Sequence, residues 1–317
     1  MEIHNNKKII TLTFNPSIDQ IFKLKDFKVD DVNNCEAFYQ IAAGKGINVS
    51  KYLQLMGVQS EIFAPMCKNA CDLFQTQLKS LNLGTNFLMI EGEIRTNTTI
   101  VDTLNQKSTH IKCKGFHFQK TDQDIFLKNL ENSLSEGDFL LICGSYPLNF
   151  DFESYNIFLS RLFEKKIRIM IDNDGSYIKQ IKNPFNFFLK PNKQEFEGLV
   201  DLKFANTKEL IDYLKKLREK LENLQILITL GKEGMLYCGK EGVIQCKLKP
   251  EKIVSTVGCG DAVLAGFIYG RTKNEKMEDC LRLAAAFAIS KLGNDMVGNL
   301  CKEEIQTLKE KASIEIF

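Results

Sequence analysis

From residue 121 onward two kinds of segment alternate, and that alternation restricts the fold more than any other feature. DIFLKNLENSL (124–134) carries apolar residues at the spacing of one helix face, whereas DFLLIC (138–143) is a nearly continuous apolar run. FESYNIFLSRLFEK (152–165) returns to the helical spacing, and IRIMID (167–172) to the apolar run. NFFLKP (186–191), a helix containing LKKLREKLEN (214–223), and LQILITLG (224–231) repeat the pattern. A strand that is apolar on both faces has to be covered on both faces, which calls for a mostly parallel sheet between helices. Upstream, KKIITLTF (7–14) and SEIFAPM (60–66) read as strands. GINVSKYLQLMG (46–57) and CDLFQTQLKSLN (71–82) read as helices, the first with Ile47, Val49, Leu53 and Met56 as core candidates. The hairpin-like MLYC and VIQCKL and the helical 277–292 and 302–312 complete the pattern. No repeat or linker divides 1–317, so the expectation is one domain. The β-rich pieces at about 18–41 and 86–115 fall outside the layers and read as a small sheet, a lid over the ligand crevice.

Bulk properties exclude several classes. Hydrophobic residues at 44% and charged residues at 26% suit a globular enzyme. A net charge of +2 with scattered basic residues gives no footprint for nucleic acid or an anionic membrane. Runs such as FLLIC (139–143) are far too short to span a bilayer. The polar Met1–Asn6 lacks the pattern of a signal peptide, so the expected location is the cytoplasm. Ten dispersed cysteines contain no C-x-x-C pair, and His4, His110 and His117 do not cluster. Free thiols are therefore expected, rather than disulfides or a zinc site.

In open parallel sheets, ligands bind beyond the carboxyl ends of the strands. Polar groups collect there: Cys143-Gly144-Ser145, Asp172-Asn173, Lys190-Pro191-Asn192 and Thr229-Leu230-Gly231, together with Asn15 to Asp19 and the 256–261 turn. The last lies in KIVSTVGCGDAVLAGFIYG (252–270). It reads as a short strand at Ile253 and Val254, a glycine turn, and a helix with Asp261 in its first turn. Free amides and the dipole at a helix start seat an anion. Asp261 beside that seat is either a proton acceptor or simply a helix cap. Cys259, between two glycines at the same helix start, is expected to have a lowered thiol pKa. GCGDAV and GKGINV (44–49) both fail G-x-G-x-x-G at the last position, and no P-loop pattern occurs. This disfavours a nucleotide-dependent oxidoreductase.

These segments together resemble the ribokinase/phosphofructokinase-B family of sugar kinases, in particular its 1-phosphofructokinase and tagatose-6-phosphate kinase branch. TLTFNPSID (11–19), AAGKGINVSKYLQLMG (42–57), RTNTTI (95–100), GSYP (144–147), KPNKQE (190–195), TLGKEG (229–234) and STVGCGDAVLAG (255–266) follow in the family's order. The resemblance implies a ribokinase-like three-layer α/β/α domain with a small β-sheet lid. It also implies ATP- and Mg²⁺-dependent phosphorylation of a ketose phosphate. D-fructose 1-phosphate is the first substrate expected, tagatose 6-phosphate and fructose 6-phosphate the alternatives, and a non-catalytic sugar-phosphate sensor the reading from another class. Asp261 would be the general base, and the amides of Gly258, Cys259, Gly260 and Asp261 the anion hole. Asp19, Gly44, Asn48 and Ser145 would meet the sugar, and Lys45 and Arg95 its phosphate. Lys190, Asn192, Thr229, Gly231 and Gly234 would line the nucleotide, with 277–294 near the adenine. Asn192 and Glu195 would order Mg²⁺ through water. Ala43 (where the signature has glycine), Asn34, Cys259, Phe116 and NDG (173–175) depart from the pattern, and bear on the sugar more than on the reaction. Exposed edges of the lid strands point to a homodimer.

Overall fold

The computed structural model describes residues 7–294 and 300–317. Met1–Asn6, on which the reading of no signal peptide rests, lies outside the described residues. In chain order the strands are β1 (Ile9–Leu12), β2 (Ser17–Leu24), β3 (Cys35–Ala43), β4 (Glu61–Met66), β5 (Gly84–Met89), β6 (Arg95–Asp102), β7 (Lys107–Ile111), β8 (Phe139–Cys143), β9 (Arg168–Asp172), β10 (Phe188–Leu189), β11 (Gln225–Thr229), β12 (Met235–Gly239), β13 (Gly242–Lys247) and β14 (Ser313–Ile316). The helices are α1 (Lys45–Leu55), α2 (Lys68–Ser80), α3 (Lys120–Ser133), α4 (Phe152–Glu164), α5 (Gly175–Ile178), α6 (Lys193–Val200), α7 (Thr207–Lys220), α8 (Cys259–Thr272), α9 (Met277–Leu292) and α10 (Lys302–Lys311).

Ten strands form one sheet in the order β14-β13-β12-β11-β10-β9-β8-β1-β4-β5. From β5 to β11 every neighbour is parallel, and β12 to β14 continue the sheet antiparallel. The apolar runs explain the layering. In β8, Leu140 and Ile142 face one core, with Phe74 of α2, Phe126 of α3, Phe158 of α4 and Leu210 of α7. Phe139, Leu141 and Cys143 face the other, with Tyr52 of α1, Leu264 of α8, Phe287 of α9 and Leu308 of α10. Every residue of β8 is buried, as a strand between two helical layers must be.

The remaining four strands form a second sheet, β3-β2-β6-β7. Here β2 is parallel to β6 with Asp19 opposite Asn97, and antiparallel to β3 with Ile18 opposite Ala42.

Two expectations need correction. TNFLMI, counted with the lid at 86–115, is not part of the small sheet. It forms β5, joined to β4 through α2 and paired parallel with it, so only β6 and β7 of that stretch belong to the small sheet. Ile253 and Val254 form no strand. They are 62% and 44% exposed, and the Val254 N–H bonds the Leu292 carbonyl instead of a ladder partner. The ten cysteines are free. Among the described residues, no helix is long and apolar enough to cross a membrane, and no group of three or more His, Cys, Asp or Glu could hold a metal ion.

Candidate active site

α8 begins where the sequence places it, with Gly258 as its N-cap. Gly258 has φ +79°, in the left-handed region that favours glycine, and no side chain caps the helix. The Cys259 N–H is taken up by the Thr256 carbonyl at 3.3 Å. The amides of Gly258, Gly260 and Asp261 have no acceptor among the described residues, so three of the four donors expected at 258–261 stay open.

Asp261 is buried, and Asn48 of α1 donates to its Oδ2 at 2.8 Å. Burial lifts the carboxyl to about 6, against the pull of the Lys45 ammonium. Asn48 reaches it because α1 packs on α8, with buried Val49 and Leu53 in the same core as Leu264. The helix-cap alternative fails, since no Asp261 side-chain bond to α8's first amides exists among the described residues.

Beside this pair lies a chain of charges. Lys45 Nζ is 3.2 Å from Asp172 Oδ1, and Lys190 Nζ is 3.0 Å from Asp172 Oδ2. Burial would raise Asp172, but Lys190 and Lys45 outweigh it and hold the carboxyl below its ordinary value. Asp172 in turn pushes Lys45 upward, despite the opposing effect of burial. A Cβ on Gly260 would lie 3.5 Å from Lys190 Nζ, which puts that ammonium against the start of α8. Asp172 was visible at the end of a strand, but no motif singled it out. Its role as the link between two lysines depends on β9 and β10 being neighbours.

The small sheet supplies a third group. Ser17 Oγ and Asn97 Nδ2 both donate to Asp19 Oδ1, at 2.8 and 3.0 Å. The Cys113 N–H bonds Asn97 Oδ1 at 3.3 Å, fixing which way that amide faces. Arg95 donates to the carbonyls of Asn15 (3.1 Å) and Cys113 (3.4 Å), while its buried Nε has no hydrogen-bond partner. Asn15 Nδ2 donates to Ser145 Oγ at 3.2 Å, tying the end of β8 to this group. Gly44 has φ +145°, and a Cβ there would meet Thr13 Cγ2 at 2.7 Å, so the turn into α1 requires glycine. Asn15 and Ser17 lie in the Asn15 to Asp19 stretch expected at the crevice, though neither had been given a role, and Asn97 was missed as a site residue. Asn97 could have been found only from the β2–β6 register.

The predicted nucleotide and metal residues sit at the next strand ends. Asn192 and Glu195 form a reciprocal capping box on α6: Glu195 N–H to Asn192 Oδ1 at 2.8 Å, and Asn192 N–H to Glu195 Oε2 at 2.7 Å. Thr229 is bridged to this turn through its N–H to the Pro191 carbonyl at 3.0 Å. Gly231 and Gly234 flank the short turn that follows β11. An open cleft of about 400 Å³ is lined by Asp174, Ser176, Lys179, Asn192 and Glu195. Mg²⁺ prefers one or two carboxylates completed by phosphate and water. Glu195 has a second carboxylate oxygen outside the capping box and shares the cleft with Asp174, so this donor set fits such an ion.

Cys259 corrects another expectation. Its thiol is pushed up to about 11, because burial outweighs the nearby Lys291, and the Asp261 carboxylate adds to the rise.

Comparison with known proteins gives the family. A 1-phosphofructokinase of Borreliella burgdorferi is 31% identical over 304 residues, 95% of each chain. A 1-phosphofructokinase of Escherichia coli is 27% identical over 312 residues, covering 98% of this chain and 99% of its own. Escherichia coli phosphofructokinase-2, solved in complex with substrates and products, shares the fold. Its TM-score is 0.87 at 21% identity, covering 96% of this chain and 98% of its own. Residues 12–304 match the model of the pfkB family of carbohydrate kinases. The protein therefore belongs to the pfkB family of carbohydrate kinases, which use ATP to phosphorylate sugars.

Proposed function

We propose that the protein transfers the γ-phosphoryl group of ATP to D-fructose 1-phosphate, giving fructose 1,6-bisphosphate. The observation that carries this reading is the buried Asp261 carboxylate, held by Asn48 and set beside unpaired amides of α8. The names of the full-length relatives from Borreliella burgdorferi and Escherichia coli favour the 1-phosphate over its rivals.

Asp19 accepts from hydroxyls of the sugar, while Arg95 and Lys45 face its phosphate. Arg95 has forked donors for this, whereas Lys45 acts as a point charge. Asn48 occupies Asp261 Oδ2, so Oδ1 is left to take the proton of the attacking C6 hydroxyl. As the new O–P bond forms, the bond from the γ-phosphorus to the ADP oxygen breaks. The amides of Gly260 and Asp261 and the Lys190 ammonium stabilise the charge on the equatorial oxygens. Lys190, Asn192, Thr229, Gly231 and Gly234 line the nucleotide. Mg²⁺, held through water by Asn192 and Glu195, would neutralise charge on the ATP phosphates. The chain works as one domain with the small sheet as lid, excluding water that would otherwise hydrolyse ATP. It pairs into a homodimer through that sheet and its β2–β3 connection, where Phe38 of β3 (49% exposed) and Val29 (85%) and Val32 (83%) of the connection are uncovered. Its ten free thiols suit the reducing cytoplasm.

An ATP-consumption assay with fructose 1-phosphate, tagatose 6-phosphate, fructose 6-phosphate and free ketoses tests the assignment. Fructose 1-phosphate is expected to give the highest kcat/KM, by about tenfold or more, the size of one well-made discriminating contact. A higher value for another sugar would replace the substrate, and no turnover of any would favour the sensor.

A further inference from the structure

β3 is an edge strand of the small sheet, yet its outer edge is closed at one place. Gln77 of α2 donates from Nε2 to the Gln40 carbonyl and accepts the Ala42 N–H at Oε1, both at 2.8 Å. Its primary amide thus satisfies two main-chain groups that a further strand would otherwise take. The Ala42 carbonyl is taken by Lys51 of α1, whose Nζ donates at 2.6 Å. Two helices of the large layer therefore grip both polar groups of one residue in the small sheet.

The position of that residue gives the grip its meaning. Ala42 lies opposite Ile18, next to Asp19, and two residues before Gly44. Holding Ala42 fixes where β2 and the α1 turn leave the large layer. We infer that Gln77 and Lys51 are positioning residues that clamp the base of β3 and so set the sugar side of the site. The inference rests on the reading of that side as the sugar-phosphate subsite.

Lys51 is a costly choice for a merely structural tie. It is buried with no ion pair among the described residues, and burial draws its ammonium down to about 8, with the charge of Asp19 acting in the opposite sense. An apolar side chain of similar length would avoid that penalty. What it could not do is grip the Ala42 carbonyl while bringing a positive charge within electrostatic reach of Asp19.

The test uses the full-length protein with Lys51→Met and Gln77→Leu made separately. Each is expected to raise KM for fructose 1-phosphate about tenfold, the loss of one charge-assisted or paired hydrogen bond, while KM for ATP stays within about twofold. Lys51→Met should melt no lower than the parent. Hydrogen exchange, read without substrate, should show residues 37–44 losing protection in both variants, with β8 and β11 unchanged. Unchanged exchange at 37–44 in both variants overturns the clamp, as does an equal rise in both KM values accompanied by a lower Tm. If the parent turns over no ketose phosphate, the substrate reading fails, and the exchange result alone decides the clamp.

Discussion

Asp261 shows how one side chain can be kept at the expense of stability. Its pKa of about 6 in the folded chain exceeds its ordinary value of 3.8. The folded state therefore binds more protons than the unfolded state between those values. The carboxylate costs nothing below about pH 4, and its penalty grows as pH rises to 6 and is complete above it. A shift of about two units corresponds to about 3 kcal/mol. Asp261→Asn removes the charge but keeps the shape, so calorimetry should find a higher Tm at pH 7.5 and a smaller gain at pH 5. The same variant should lose about 10²–10⁴ in kcat, the range for a general acid–base group. In the parent enzyme kcat/KM should fall on acidification through about pH 6, as the base is protonated. A pH profile flat from 7 to 5 would remove Asp261 from that role. Cys259 is the converse lesson. Its place at a helix start suggested a reactive thiol, but burial decides its pKa. Iodoacetamide at pH 7.5, followed by peptide mapping, should modify the exposed Cys35, Cys113 and Cys301 before Cys259. Earlier modification of Cys259 would contradict the burial argument.

At the scale of elements, the two segments around Gly44 and Gly258 were legible because each combines a glycine turn with a helix start. GINVSKYLQLMG became α1 and the start of α8 fell at Gly258. The run at Ile253 and Val254 misled, because β-prone residues make a strand only where a neighbour offers a ladder edge. The segment 190–195 carries two readings. Asn192 caps α6 through the Glu195 amide, and it also lines the open cleft proposed above to take the nucleotide and its cation. Asn192→Ala should lower stability by about 1 kcal/mol through the lost cap. If Asn192 also orders Mg²⁺, the variant should raise KM for MgATP while leaving KM for the ketose phosphate near its parent value. A Tm loss with both KM values unchanged would leave Asn192 a cap alone.

For the molecule as a whole, the small sheet and its β2–β3 connection leave an unfinished surface. Gln77 closes the outer edge of β3 at residues 40 and 42, but Val29, Val32 and Phe38 remain exposed. A parent of twice the chain mass in light scattering, shifted to one chain mass by Phe38→Lys, is the result expected of a dimer built there. A monomeric parent would end that proposal. The sequence by itself determined the layered α/β class, since continuous apolar strands between amphipathic helices can be buried in few ways. It also placed the residues at the strand ends, because a parallel sheet gathers those ends along one edge. Only the tertiary structure decided which groups meet: Asn48 with Asp261, Asp172 between two lysines, Asn97 against Asp19, and β5 in the large sheet rather than the small one. Those contacts join residues as many as 213 positions apart. Strand register and helix packing set them, and neither is written in the local period of the chain.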